Sequence, residues 1–180
     1  ANEMRRLMPL TVDHPGPVYI RLAKGGDPVV TDDNVPFQIG KAFLMREGTD
    51  ALVVSCGVML KKALDAADCL RAKGIGTAVL HMPTIKPLDT TTLLDYIARV
   101  PVIVSVEEHT RVGGLGSAVA EVLAEANFNQ PKRFRRIGIP DVFPDQYGSQ
   151  DSLMARYSIS SEAICKTVEE LAGASESPAR

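Results

Sequence analysis

The stretch Val102-Ile-Val-Ser-Val106 runs directly into Glu107-Glu108-His109, and it decides the fold. A short, nearly continuous apolar run of this kind is typical of a strand buried on both faces, as in a parallel sheet. Similar runs occur at 51–57 and 77–82, and a weaker one at 134–139. Apolar residues at helical spacing separate these runs. The sequence therefore predicts a repeated strand–helix pattern.

Capping residues set the limits of the predicted helices. Gly74 supplies a left-handed helix end, and Asp89 is placed to cap the next helix. Ser160 caps a last helix that ends at Gly173, and a glycine-rich turn leads into the helix before it. That earlier helix carries one apolar stripe, formed by Leu115, Val119, Val122, Leu123 and Ala126.

Strand–helix–strand alternation requires crossovers, which are right-handed and leave the sheet covered on both faces. Upstream, Phe37, Ile39, Phe43 and Met45 alternate, and Glu47-Gly48 predicts a tight turn that pairs this segment as a hairpin with the first parallel strand. We therefore expect an α/β fold. It is a three-layer α/β/α sandwich, with a mostly parallel sheet of about five strands and one antiparallel edge strand.

Residues 1–34 do not follow this pattern. Met4, Leu7 and Met8 indicate the end of a helix, Val18-Tyr-Ile-Arg-Leu22 alternates as a strand, and Gly, Asp and Pro then mark a linker. The segment is either an extra edge strand or the tail of a preceding domain, and we favour the tail. The expected organisation is a tail at 1–24, a linker at 25–34, a domain at 35–173 and a disordered end at 174–180.

Composition excludes several classes of protein. The net charge is -2, which argues against a nucleic-acid footprint, and no apolar run approaches the roughly 20 residues of a membrane span. Cys56, Cys69 and Cys165 are far apart and lie in apolar stretches. We expect them to be reduced, buried thiols in a cytoplasmic protein.

Four motifs that define active sites are incomplete. Gly114 and Gly116 match part of a dinucleotide fingerprint, but Val119 occupies its third glycine position, and no phosphate-loop lysine motif exists. Ser55 lacks the leading glycine of a hydrolase elbow, so a trio with His81 and Glu107 is a weak hypothesis. Zinc would need spaced ligands, which the sequence does not offer. The glycines more simply permit close packing.

The strongest functional signal is a pair of adjacent carboxylates at a strand end, followed by the glycine-rich turn. Buried carboxylates are costly unless they are paired or solvated, so we expect this pair to be exposed to a cation or to a partner surface. The candidate interface or anion site comprises Glu107, Glu108, His109, Gly113, Gly114, Gly116 and Ser117. Charge reversal at both glutamates should then weaken self-association.

Several stretches together resemble the C-terminal domain of transketolases. They are Ala78-Val-Leu-His-Met-Pro-Thr-Ile-Lys-Pro-Leu-Asp89, Val106-Glu-Glu-His-Thr-Arg-Val-Gly-Gly-Leu-Gly-Ser-Ala-Val119, Gly16-Pro-Val-Tyr-Ile-Arg-Leu22 and Tyr157-Ser-Ile-Ser-Ser-Glu-Ala-Ile164. The match covers nearly the whole chain. Deoxyxylulose-phosphate synthases and 2-oxo-acid dehydrogenase β subunits share this domain, although Tyr-Ile-Arg-Leu is closer to transketolase.

The resemblance implies a parent enzyme that moves two-carbon ketol units between sugar phosphates with thiamine diphosphate and Mg²⁺. Residues 1–24 would then be the tail of a truncated pyrimidine-binding domain. The chain has no Gly-Asp-Gly cofactor motif, since Gly25-Gly26 is followed by Asp27-Pro28. We therefore expect no bound cofactor, no catalytic residue and no activity of the fragment alone, but a homodimer contact and a need for the missing domains.

Other interpretations stay open at this point. A freestanding α/β module could hold a phosphate or nucleotide at the start of the helix after Gly113, and a structural dimerisation unit needs no enzyme at all. The same domain could also come from a deoxyxylulose-phosphate synthase or a dehydrogenase β subunit.

Overall fold

The computed structural model of the protein describes residues 1–23, 25–32 and 37–173. The strands are β1 (Phe43–Arg46), β2 (Ala51–Ser55), β3 (Thr77–His81), β4 (Val102–Thr110) and β5 (Arg133–Ile139). The helices are α1 (Asn2–Val12), α2 (Met59–Ala72), α3 (Thr90–Arg99), α4 (Leu115–Glu125), α5 (Gln150–Arg156) and α6 (Ser161–Gly173).

The five strands form one sheet in the order β1-β3-β2-β4-β5. The β2, β3, β4 and β5 strands are parallel to one another, and β1 runs antiparallel to β3. One hydrophobic core joins the sheet to α2 and α6, and a second joins its other face to α3 and α4. The expected three-layer α/β/α sandwich with one antiparallel edge strand is confirmed.

The predicted hairpin between β1 and β2 is wrong. Both edges of β2 are occupied by β3 and β4, so β1 pairs with β3 instead. Gly48 makes this path possible, because a Cβ on it would overlap the backbone of Thr77 and Ala78. The chain therefore crosses the start of β3 at close range before it enters β2.

The predicted helix limits agree with the structure. Asp89 accepts a hydrogen bond from the Thr92 amide at 3.2 Å, and Ser160 Oγ accepts one from the Ala163 amide at 3.2 Å. Gly74 has a φ of 80°, in the left-handed region expected at a helix end. Two features were not predicted: β4 extends beyond Val106 to Thr110, and α5 is a short helix in a polar segment.

The strand predicted at 18–22 is wrong, because this segment has no partner strand among the described residues. Residues 18–23 belong to neither helix nor strand, and no strand of the described residues pairs with them. Val18, Tyr19 and Leu22 are exposed at 40%, 89% and 62%. A helix was correctly expected before this segment. The predicted end at 174–180 lies outside the described residues, as do parts of the linker, and the domain limits stay predictions.

Candidate functional site at the carboxyl end of the sheet

Glu107 is a fully buried carboxylate near the end of β4. Its Oε2 accepts a hydrogen bond from the Leu115 amide at 2.8 Å, and its Oε1 accepts one from the Gly116 amide at 2.9 Å. The first amides of a helix lack partners within the helix and carry partial positive charge, so a carboxylate there is stabilised. Glu107 therefore caps α4 from the neighbouring strand.

The glycines of the turn are needed for this close approach. A Cβ on Gly114 would overlap Glu107 Oε2, and a Cβ on Gly116 would lie 2.8 Å from Ser105 Oγ. Gly113 has a φ of 74°, which side chains rarely adopt. The packing explanation of these glycines agrees with this geometry.

Glu108 joins two distant parts of the chain. Its Oε1 lies 2.5 Å from Arg21 Nη1, and its Oε2 accepts a hydrogen bond from Gln150 Nε2 at 2.6 Å. The site thus ties the segment before β1 to the start of α5. A cationic partner was expected for the carboxylate pair, and Glu108 has one within its own chain. Glu107 was expected to be exposed, which is wrong, because the helix start supplies its partners.

The rest of the turn is closed by hydrogen bonds. Ser117 Oγ accepts a hydrogen bond from the Gly113 amide at 3.0 Å and donates one to the Arg111 carbonyl at 3.0 Å. Arg136 Nη1 also donates to the Arg111 carbonyl, at 2.9 Å. His109 Nδ1 lies 3.0 Å from the Thr110 carbonyl and 3.1 Å from Glu107 Oε2. The turn between β4 and α4 therefore brings six of the predicted site residues together, and we call them the loop cluster: Glu107, His109, Gly113, Gly114, Gly116 and Ser117. The Glu108 side chain contacts Arg21 and Gln150 instead.

This geometry bears on whether the helix start can hold an anion. The Leu115 and Gly116 amides already bind Glu107, so an external phosphate would have to displace a buried carboxylate of like charge. The described residues also contain no group of three or more His, Cys, Asp or Glu side chains that could hold a metal ion. The cluster favours a structural or contact role over ligand binding.

The weak trio of Ser55, His81 and Glu107 is not assembled. Ser55 and His81 are register partners on the face covered by α2 and α6, whereas Glu107 faces α4. His81 Nε2 instead contacts Glu3 Oε1 at 2.9 Å. No spacing in the sequence signals this pair, since its members are 78 residues apart.

Four exposed apolar side chains lie in the two loops that follow the carboxyl ends of β4 and β5. Val112 lies in the turn between β4 and α4, while Val142, Phe143 and Tyr147 lie between β5 and α5. Phe143 and Tyr147 are fully exposed, at 99% and 106%. We call these four residues the carboxyl-edge apolar surface. This surface was not predicted, although the aromatic residues Phe143 and Tyr147 in a loop rich in Pro and Asp were a signal for it in the sequence.

Comparison with known proteins places this geometry in a family. Residues 40–164 match the family model described as "Transketolase, C-terminal domain". A putative transketolase family protein of Sinorhizobium fredii is 43% identical over 94% of this chain and 49% of its own length. One of the subunits of the apulose-4-phosphate transketolase of Phocaeicola vulgatus is 39% identical over 94% of this chain and 53% of its own length.

A split-gene transketolase solved as an inactive β4 tetramer superposes with a TM-score of 0.87 at 34% identity. That match covers 96% of this chain and 55% of the other. A 1-deoxy-D-xylulose-5-phosphate synthase of Syntrophotalea carbinolica is 39% identical over 92% of this chain but only 26% of its own length. The chain spans about half the length of the first two relatives. It belongs to the transketolase C-terminal domain family.

Proposed function

We propose that this chain is the C-terminal part of a transketolase-family subunit that works with a separate catalytic partner to transfer two-carbon ketol units between sugar phosphates. One observation carries the proposal: nearly the whole chain matches about half the length of a protein named as a transketolase subunit and about half the length of a split-gene transketolase. A second relative of this kind is the 6-deoxy-6-sulfo-D-fructose transketolase subunit of Clostridium sp., at 36% identity. A cytoplasmic location stays a prediction from the cysteine content.

The resemblance implies that the complete enzyme uses thiamine diphosphate and Mg²⁺, and the described residues of this chain do not fit that cofactor. No cluster of metal ligands is present among them, and the α4 amides that could face a diphosphate are capped by Glu107. The cofactor supplies the electron sink for ketol transfer when it is bound elsewhere in the enzyme. No residue of the described ranges is assigned a catalytic role.

The role proposed for this domain is to hold the assembly together through the loop cluster and the carboxyl-edge apolar surface. Exposed aromatic side chains are typical of contact surfaces, where each buries a large area at low entropic cost. The hydrogen bonds of Glu107, Ser117 and Arg136 hold the adjacent turn in one shape. The contact is proposed to lie between two copies of the chain.

The assembly role can be tested with Phe143→Asp in the full-length protein. The ring makes no buried contact, so the substitution should leave folding intact but weaken self-association at least tenfold, measured by sedimentation. Gln130→Glu is the matched control, since it adds the same charge to an exposed residue before β5. Unchanged association of the Phe143 variant would contradict the proposal. The double glutamate reversal is a poorer test, because altering Glu107 would disrupt α4.

The ketol-transfer proposal is tested by producing the full-length protein with and without its catalytic partner. We expect transfer from a ketose phosphate to an aldose phosphate only when both are present with thiamine diphosphate and Mg²⁺. Formation of 1-deoxy-D-xylulose 5-phosphate instead would favour the synthase alternative, which is supported by the similarity to a 1-deoxy-D-xylulose-5-phosphate synthase.

The freestanding binding-module alternative makes a different prediction. Calorimetric titration of the chain with inorganic phosphate, ATP, NAD and magnesium thiamine diphosphate should show no saturable heat, because Glu107 occupies the helix-start amides. Saturable binding of phosphate or a nucleotide that is lost in Gly116→Ala would revive this alternative.

A further inference from the structure

Two cysteines meet where α2 packs against α6. Cys69 Sγ and Cys165 Sγ lie 2.8 Å apart, although they are separated by 96 residues in the chain. Both are free thiols in this structure. Both were expected to be buried, and this is wrong for Cys69, which is exposed on α2.

The two thiols have unequal surroundings. Cys165 is only 3% exposed, and burial, with a further contribution from Cys69, raises its pKa to about 11. Lys73 Nζ lies 3.7 Å from Cys165 Sγ and 2.5 Å from Glu169 Oε1. A dissolved oxidant therefore reaches Cys69 first, because reaction of a thiol requires access as well as a thiolate.

We propose that Cys69 and Cys165 form a reversible redox site that is oxidised to an intramolecular disulfide by hydrogen peroxide. The Cys69 thiolate attacks the peroxide oxygen, the O–O bond breaks, and Cys69 becomes a sulfenic acid as hydroxide leaves and takes a proton to become water. Cys165 then loses its proton, and its sulfur attacks the Cys69 sulfur. The S–S bond forms, and the S–O bond breaks to release a second water. The peroxide is reduced, and both thiols are oxidised.

The consequence is a covalent bond between α2 and the last helix. Because the sulfurs are already in contact, the bond requires little movement of either helix. It would hold α6 against α2 and restrict the opening of α6 from the sheet, since a cross-link removes chain freedom from the open state. A dithiol such as dithiothreitol should reverse it by thiol–disulfide exchange.

The test uses the full-length protein treated with hydrogen peroxide, followed by alkylation and peptide mapping without reduction. We expect a peptide cross-linked through Cys69 and Cys165, loss of both free thiols, and slower hydrogen exchange of the α6 amides. Cys56→Ser is the matched control variant, because Cys56 lies at the end of β2 and is remote from the pair. It should cross-link as the unmodified protein does.

Cys69→Ser should lose both the cross-link and the slower hydrogen exchange of the α6 amides. Because Cys69 is exposed, the substitution should leave the hydrophobic core intact. Three results would overturn the proposal. They are oxidation of Cys69 to a sulfenic or sulfinic acid without cross-linking, a cross-link only between chains that grows with protein concentration, and unchanged α6 exchange in the cross-linked protein.

Discussion

Glu107 shows how a carboxylate can be fully buried in this protein when backbone amides supply its hydrogen bonds. Its two oxygens accept the Leu115 and Gly116 amides, and no part of the side chain is exposed. Charged acceptors make stronger hydrogen bonds than neutral ones, and a helix start adds favourable partial charge. The residue is therefore a structural centre of the loop cluster.

We expect Glu107→Gln to destabilise the protein by about 1–3 kcal/mol, because the amide nitrogen cannot accept a hydrogen bond and one buried backbone donor loses its partner. Denaturant unfolding measures this loss. Glu108→Gln is the control, and it should cost only about 0–1 kcal/mol, since its Arg21 partner is exposed to solvent. Equal losses in the two variants would contradict the capping role.

The sequence shows that two adjacent carboxylates need partners, but it does not show which ones. Glu107 and its amide partners are eight and nine residues apart, and they meet only because the turn folds back on β4. The partners of Glu108 are 87 and 42 residues away. Contacts of this range depend on tertiary structure, so the residues of the candidate cluster could be named from the sequence, but their hydrogen-bond partners could not.

Asp89 has an equivalent role at the scale of elements, because it links α3 to the segment before β1. Its carboxylate accepts hydrogen bonds from the Thr92 and Ala42 amides at 3.2 and 3.1 Å. Burial opposes its charge, but these hydrogen bonds outweigh it and hold the pKa of Asp89 below its ordinary value. One side chain thus serves both a helix start and an edge-strand segment.

Asp89→Ala should therefore destabilise the protein by about 1–2 kcal/mol, the range of a lost helix cap, measured by denaturant unfolding. Ser149→Ala is the comparison, because the exposed Ser149 hydroxyl caps α5 by accepting a hydrogen bond from the Ser152 amide. It should cost less than Asp89→Ala. The reverse order would show that the Ala42 contact adds nothing to stability.

Elements with strong local signals were the predictable part of the fold. The apolar runs of β2, β3 and β4 and the caps of α3 and α6 are encoded within a few neighbouring residues. The partner of β1 was not predictable in this way. The turn at Gly48 looks like a hairpin turn in the local sequence, but β3 and β4 already pair with both edges of β2, and this depends on the whole sheet. The seven residues of α5 carry too few apolar positions to reveal a helix.

At the scale of the whole molecule, the segment 1–23 is attached to the sheet by few contacts. No residue of α1 is buried, and two of the polar contacts between this segment and the sheet domain are Glu3 with His81 and Arg21 with Glu108. Limited trypsin treatment should therefore cleave after Arg21 before it cleaves within β2 to β5, as peptide mapping can show. Equal resistance of residues 1–30 and the remainder would contradict the domain-tail interpretation.

The attachment of α1 should also depend on pH. Burial raises the pKa of Glu3, but the hydrogen bond to His81 and the nearby charges, including Arg6, outweigh it and hold the pKa below the ordinary 4.5. A carboxyl whose pKa is lower in the folded state than in the unfolded state stabilises the fold when the pH is above its unfolded-state pKa. That stabilisation is lost as the pH falls through its folded-state pKa. Amide NMR signals of α1 should therefore shift below pH 4.5. Glu3→Gln should abolish this shift of the α1 signals. If the shift persists in the variant, a group other than Glu3 causes it.

The internal cap on α4 has a consequence for how fast and how long a partner binds. Because Glu107 already fixes the turn, a partner would meet a surface whose shape is set before encounter, and little ordering entropy would be lost on contact. Substitutions on that surface would then change the lifetime of the complex far more than its rate of formation. Weakening the cap itself would instead slow the formation of the complex more than it shortens its lifetime, because the turn would have to become ordered during association.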